Sequence, residues 1–280
     1  MKILHRVSFN DTRNGGKRLR LNELGVPTTF TDLPAPPGVL EPLGMVSAVI
    51  QENTQLWEAV EQQLLDWGAS DAITTEFTAK EKTAATWLSL EPSWHWDYPM
   101  PVAHRAYIDA TYDIQKGCLA CGAGWVQKAP FRVSGEPKWG RRNIFQLNWV
   151  FDEFFVTPEL YIQVFQRFGI AAREVIEGTT GAVLTSVVQL VIDDISPMPL
   201  VFGVSPKSEC CNACGRVRHT PHRRGFFPRL PTALDTPILK TQEHFGSGSS
   251  SWRSVMVRHS LYDACTRAGV RGVDFWPSAN

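Results

Sequence analysis

At 280 residues the chain can bury one large core or two modest ones. Its 28 basic and 28 acidic side chains cancel and 43% of its residues are hydrophobic. That balance excludes a disordered polyelectrolyte and gives no global reason to bind nucleic acid or a membrane surface. No apolar run reaches the roughly 18–20 residues needed to cross a bilayer, the longest lying near Val183–Ile192.

Taken in order, residues 1–45 show little pattern. Asn14-Gly15-Gly16-Lys17 reads as a turn and Pro34-Ala35-Pro36-Pro37-Gly38 as an extended breaker, so an irregular arm with one short strand is expected. Asn53 or Thr54 caps a helix reaching about Trp67, with Leu56, Val60, Leu64 and Trp67 on one face. Gly68 stops it and 72–77 reads as a strand. Thr78 and Glu81 open a second helix, predicted to bury Ala84, Ala85, Trp87 and Leu88 before Pro92 ends it. An aromatic, proline-rich loop follows over 93–101. Residues 106–114 and 124–133 read as β-type runs on either side of a cysteine motif, and Ile144–Phe151 as a strand. Thr157-Pro158-Glu159 starts a helix ending at Gly169, and 181–192 is a β-branched strand. Ser260 with Asp263 starts a last helix ending at Gly269, before a strand over 270–276. The order helix, Gly, apolar strand thus occurs three times, around Gly68, Gly169 and Gly269, which argues for an α+β fold.

The chemistry concentrates in two matching stretches, Cys118-Leu119-Ala120-Cys121-Gly122 and Cys211-Asn212-Ala213-Cys214-Gly215. Two thiolates three positions apart on a tight turn grip one face of a metal ion, and the following Gly supplies the positive φ the turn needs. Two such turns make a closed four-thiolate site, the pattern of a structural zinc ion rather than a catalytic one. A redox pair or disulfides are the alternatives, and Cys210 competes with Cys211 as the third ligand. Cys265 falls in a helical pattern and reads as a small buried hydrophobe. The 89 residues between the two half-sites (122 to 210 inclusive) far exceed a zinc-finger loop, so the ion would tie together remote points of a larger domain. With metal-bound thiols and no apolar leader in Met1-Lys2-Ile3-Leu4-His5-Arg6, a reducing, cytoplasmic location is expected.

Other motifs are weaker. There is no HExxH or HxE word for hydrolytic or deaminating zinc. His95 with Asp97 and His104 is a candidate second metal group, Glu243-His244 a candidate acid–base pair, and Gly246-Ser247-Gly248-Ser249 a loose phosphate-loop likeness without its lysine. The segment Arg216–Arg229 holds five arginines, two histidines and no acid, with Phe226 and Phe227 among them. That mixture of charge and stacking surface suits nucleic acid or a protein interface.

The two CxxCG words, with the closing stretch Ala268-Gly269-Val270-Arg271-Gly272-Val273-Asp274-Phe275-Trp276-Pro277, resemble the double-CxxCG-motif proteins, a bacterial family best known from myxobacteria. The resemblance covers roughly residues 110 to 280. It implies Cys118, Cys121, Cys211 and Cys214 as metal ligands and transfers no catalytic residue. Some members are immunity proteins that neutralise a toxin by binding it. The expectation is an α+β protein of mixed or antiparallel sheet with few helices and a split, zinc-ribbon-like four-cysteine site. Residues 1–105 would form an N-terminal region and 106–280 the zinc-binding domain. It would be a non-enzymatic protein binding a cognate toxin through Trp94, Trp96, Arg223 and Arg224, or, alternatively, nucleic acid through Arg216–Arg229.

Overall fold

The computed structural model describes residues 1–35, 41–231 and 234–279; Pro36, Pro37 and Gly38 of the expected breaker lie outside them. The chain is α+β, with mostly antiparallel sheets and few helices. It divides into two compact units, residues 1–79 with 223–225, and residues 80–222 with 226–280. The division falls after Ala79, so residues 80–105, grouped with the N-terminal region in the sequence reading, belong to the second unit.

The first unit is not an irregular arm. It runs β1 (Lys2–Thr12), α1 (Gly16–Glu23), β2 (Thr28–Asp32), β3 (Leu43–Gln51), α2 (Gln55–Asp66) and β4 (Ser70–Glu76). The sheet order is β2-β3-β1-β4, all antiparallel, which is the βαββαβ ferredoxin-like arrangement. The run Arg18-Leu19-Arg20-Leu21 lies within helix α1. On β3, Val46, Ala48 and Ile50 are buried while Leu43, Met45 and Val49 face outward, the period of a one-sided sheet. They meet Val7 and Phe9 of β1 and Trp57, Val60 and Leu64 of α2. Thr54 caps α2 as expected, its hydroxyl accepting from Trp57 N at 3.2 Å.

A polar cluster centred on buried His5 and Glu52 lies against α2. His5 stacks on Trp57 with ring centroids 3.7 Å apart; its Nδ1 is 2.7 Å from an Asp71 oxygen and its Nε2 3.2 Å from a Glu52 oxygen. Arg224 reaches the other Glu52 oxygen. Burial alone would raise the Glu52 pKa, but the hydrogen bonds from Arg224 and His5 outweigh it and hold the carboxyl below its usual range. Gly225 N donates to Thr75 Oγ1 at 2.9 Å, which fixes the 223–225 segment to this unit.

Helix α3 (Ala79–Ala84) starts at the division, and β5 (Trp87–Pro92) follows in the second unit. Next come α4 (Tyr107–Thr111), β6 (Tyr112–Asp113), β7 (Val126–Gln127), β8 (Arg132–Val133), β9 (Ile144–Phe145), β10 (Phe155–Val156), α5 (Pro158–Gln163), β11 (Ala172–Glu177) and β12 (Val183–Leu190). It closes with β13 (Ser208–Cys210), β14 (Val217–His219), β15 (Ile238–Lys240), β16 (His244–Phe245), β17 (Val255–Arg258), α6 (His259–Arg267) and β18 (Val273–Pro277). Sheets β15-β17-β5-β18 and β8-β11-β12-β10-β9 carry it. Leu88, Leu90, Ile144, Phe154, Leu190, Val257, Leu261 and Phe275 share one core. A second core gathers Phe131, Phe145, Phe155 and Val187, with Trp94, Trp96 and Trp139 packed against it.

Several expectations are corrected here. Trp87 and Leu88 lie on β5, not on a helix, and α3 buries none of its residues. Residues 106–114 contain the short helix α4, which buries Tyr107 and Thr111 four apart. Only Ile144 and Phe145 of the 144–151 run are paired as a strand. Helix α6 begins at His259 without a side-chain cap, so Ser260 does not cap it. The three helix–Gly–strand joints do recur. Gly68, Gly169 and Gly269 all take left-handed φ, and the residue after each donates to the carbonyl five positions back (Ala69 to Leu64, Ile170 to Phe165, Val270 to Cys265). That is the Schellman closure of a helix end, and Gly25 of the first unit repeats it through Val26 and Leu21.

Candidate metal centre and the adjoining cleft

Each CxxCG word sits at the tip of a two-stranded hairpin. Strands β6 and β7 flank the first, with Tyr112 opposite Gln127, and β13 and β14 flank the second, with Cys210 opposite Val217. The two tips match bond for bond. Gly122 N donates to Cys118 O at 2.7 Å and Cys118 N to Ala123 O at 2.9 Å. Ninety-three positions on, Gly215 N donates to Cys211 O at 2.8 Å and Cys211 N to Arg216 O at 2.9 Å. Gly122 and Gly215 have φ of 78° and 71°, the left-handed conformation a following glycine was expected to supply. Arg216 joins the two tips, its guanidinium donating to Ala123 O at 2.8 Å.

The four sulfurs of Cys118, Cys121, Cys211 and Cys214 all lie within 4.8 Å of one another. The Cys118–Cys211 and Cys121–Cys214 pairs are each 3.8 Å apart. A tetrahedron with metal–sulfur bonds of about 2.3 Å has edges of about 3.8 Å, whereas a disulfide needs about 2.05 Å. These four cysteines can therefore hold a metal ion, and no other group of three or more His, Cys, Asp or Glu side chains among the described residues does so. Cys210 is exposed, lies outside the cluster and points its sulfur at Gly215 O, which resolves the ambiguity in favour of Cys211. Cys265 is buried in the α6 core, and burial pushes its thiol up to about 12.

Backbone amides favour ionisation of two of these thiols. Amides of Ala213 and Cys214 lower Cys211 to about 7, and the Cys121 amide lowers Cys118. Cys121, fully buried, is pushed up to about 12 by desolvation. Cys118, Cys121 and Cys211 are buried and Cys214 is exposed, so one edge of the cluster meets solvent.

Beside the first knuckle lies a cleft of about 400 Å³, reaching from Gly122 and Gly124 to Asp152, Glu153, Arg173 and Lys240. Lys240 Nζ is 2.5 Å from Glu153 and 3.6 Å from Asp152. Burial pulls the Lys240 pKa down, but Asp152 and Glu153 outweigh it and raise it, so the ammonium stays charged. Glu153 is raised by burial in spite of Lys240. His244 is lowered to about 4 by burial, reinforced by Arg253 and Arg216, so it is neutral at pH 7. Neighbouring Glu243 accepts from Leu200 N at 2.8 Å, so its carboxylate is engaged by backbone.

The remaining sequence candidates are dispersed. Asp97 accepts from Ser134 N at 2.7 Å, and His95 bridges to Gln146; neither forms a ligand group with His104. Trp94 and Trp96 are half-buried, each edge-on to Phe145 at 5.3 and 5.5 Å. The arginine segment is split between the units, with Arg223 and Arg224 in the first and Arg216, Arg218 and Arg229 in the second. Arg218 is buried, 3.1 Å from Glu209 and bonded to the carbonyl of Gly248 at 2.5 Å. Sequence reasoning missed the cleft altogether, because Asp152, Glu153, Arg173 and Lys240 come from separated strands with no shared motif. No protein-family model matches the chain, and neither curated proteins nor solved structures yield a match.

Proposed function

We propose that the chain is a non-enzymatic binding protein whose second unit is stabilised by one structural zinc ion, and that it acts as an immunity protein, neutralising a cognate bacterial toxin by direct contact. The observation that carries the zinc reading is the spacing of four sulfurs on two hairpin tips built bond for bond alike. This is a zinc-ribbon-like arrangement whose halves are separated in the chain. Four thiolates fill a tetrahedral shell and leave no position for water or substrate, so the ion supplies folding energy rather than chemistry. Cys118, Cys121, Cys211 and Cys214 would hold it. Four thiolates around a dication carry a net charge of about −2, and Arg216 stands at the joint of the two tips to offset part of it. The toxin reading is supported by the resemblance of the two CxxCG words and the closing Gly-rich stretch to a family with immunity members. Partial exposure of Trp94 and Trp96 leaves aromatic edges for such a contact.

Two measurements test this. Metal analysis of the purified chain should find one zinc per chain. Affinity capture from nuclease-treated lysate of the native host should then recover a protein that arrests growth when expressed alone, and co-expression of this chain should restore growth. Capture of nucleic acid alone, or a captured protein whose toxicity this chain does not relieve, would overturn the immunity reading.

A further inference from the structure

The two knuckles match as far as the glycine that closes each, and then diverge. Gly122 is followed by Ala123 and Gly124, whereas Gly215, 93 positions on, is followed by Arg216 and Val217. One tip thus carries a long cation where the other carries the two smallest residue types. The difference is complementary in space. Arg216 O accepts from Cys211 N at 2.9 Å and closes the second knuckle. The guanidinium of the same residue donates at 2.8 Å to Ala123 O, which closes the first knuckle by accepting from Cys118 N at 2.9 Å. Ala123 O thereby uses both its lone pairs, and one residue is tied into both turns.

Gly124 makes room for this. Its φ is 86°, and a Cβ there would stand 3.1 Å from one guanidinium nitrogen and 3.3 Å from the guanidinium carbon. That is inside ordinary contact distance, so a larger residue would press on Arg216. Val217, at the matched place, is exposed and sits on β14 opposite Cys210. Ala123 is buried in one cluster with Cys118, Cys121 and Cys211, so its carbonyl belongs to the wall of the metal centre. Among the described residues the guanidinium has no other hydrogen bond and no carboxylate partner. A backbone carbonyl of the opposite tip, and not an acid, fixes the position of this side chain.

We propose that Arg216 is a positioning residue for the metal: a latch that holds the two tips in ligating register and sets how fast the ion is released. The inference rests on the zinc reading above and adds to it the control of retention. For an ion to leave, the two thiolates of one tip must part from the two of the other. Each tip is closed by its own backbone bonds, so the opening runs between the tips, where the Arg216 guanidinium spans them. That bond has a charged donor, which makes it one of the stronger kind. It must break before the tips separate.

The test uses the full, zinc-loaded chain, its zinc content measured first, then mixed with excess chelator and a chromogenic zinc indicator. Arg216→Met, which keeps the stem and removes donor and charge, should start with one zinc per chain and release it about tenfold faster, the loss of one hydrogen bond to a charged group. Arg216→Lys, which keeps a charged donor on a shorter stem, should recover part of that difference. Val217→Ala alters the same hairpin at the place matched to Gly124 without touching the latch, and should release at the original rate. Release unchanged in Arg216→Met, equally fast in Arg216→Lys and Arg216→Met, or equally fast in Val217→Ala and Arg216→Met would overturn the latch. In the last case any loosening of the hairpin would suffice. A wild-type chain without zinc at the start would overturn the metal reading and the latch together, whereas the other failures leave the metal reading standing.

Discussion

In the first unit, Val7, Phe9, Val46 and Ile50 meet Trp57, Val60 and Leu64 between one sheet and its helices, and the chain is local enough that six elements in sequence complete the layer. In the second, two hairpin tips 93 residues apart converge on four sulfurs, and both large sheets are threaded between or around them. The first closes by apolar burial around a polar cluster of His5, Glu52 and Arg224. The second has, besides its cores, four cysteines that can hold a metal ion, and under the zinc reading that ion cross-links the two tips. Under that reading, the difference teaches that the metal's stabilisation belongs to the second unit, whereas the first is held by its own core.

The comparison breaks most sharply at the ligands. Cys214→Ser should abolish stoichiometric zinc and the thermal transition of the second unit, because structural zinc contributes on the order of 10–16 kcal/mol, as much as a domain's whole stability. Calorimetry should retain the first unit's transition. Cys210→Ser, outside the cluster, should change neither. Full thermal stability in Cys214→Ser would sink the structural-metal reading. Next in size, Ile50→Ala should lower only the first transition, by about 2–5 kcal/mol, and leave one zinc per chain. Smaller still are two matched caps, Thr54 on α2 and Thr157 on α5, each accepting from the third residue onward at 3.2 Å. Thr54→Ala and Thr157→Ala should each cost about 1 kcal/mol, the one in the first transition and the other in the second. The smallest effect is at the β11–β12 turn. Hydrogen bonds from the Thr180 hydroxyl and amide, and from the Thr179 amide, hold Glu177 at about 2 against an ordinary 4.5. The unfolded chain binds that proton more readily, so the contribution is present above about pH 4.5 and lost as pH falls toward 2. Glu177→Gln should flatten the acid limb of the second unit's stability curve over that window.

The parts legible in the sequence were those written in local chemistry. Four thiols in two CxxCG words announced the centre, Thr54 and Thr157 announced their helices, and glycines marked helix ends, because each acts within five residues of chain. The first sheet was hidden by charge. His5 and Arg6 interrupt the apolar alternation of β1, yet His5 points inward, where Asp71 and Glu52 satisfy it. Strand β5 misled for the opposite reason: Trp87, Leu88, Ser89 and Leu90 are all buried in the middle of a sheet, so the period of two disappears and the run reads on from the preceding helix. The cleft was illegible because its residues converge only through strand pairing.

The 93-residue offset between the knuckles also sets an order of events during synthesis. At roughly 5–20 residues per second, the second pair of thiols leaves the ribosome about 5–20 s after the first. Strands β8 to β12, all encoded within that interval, therefore emerge before the four cysteines can come together. The nascent chain thus passes through a stage in which Cys118 and Cys121 stand without Cys211 and Cys214, so the four-sulfur cluster is assembled late.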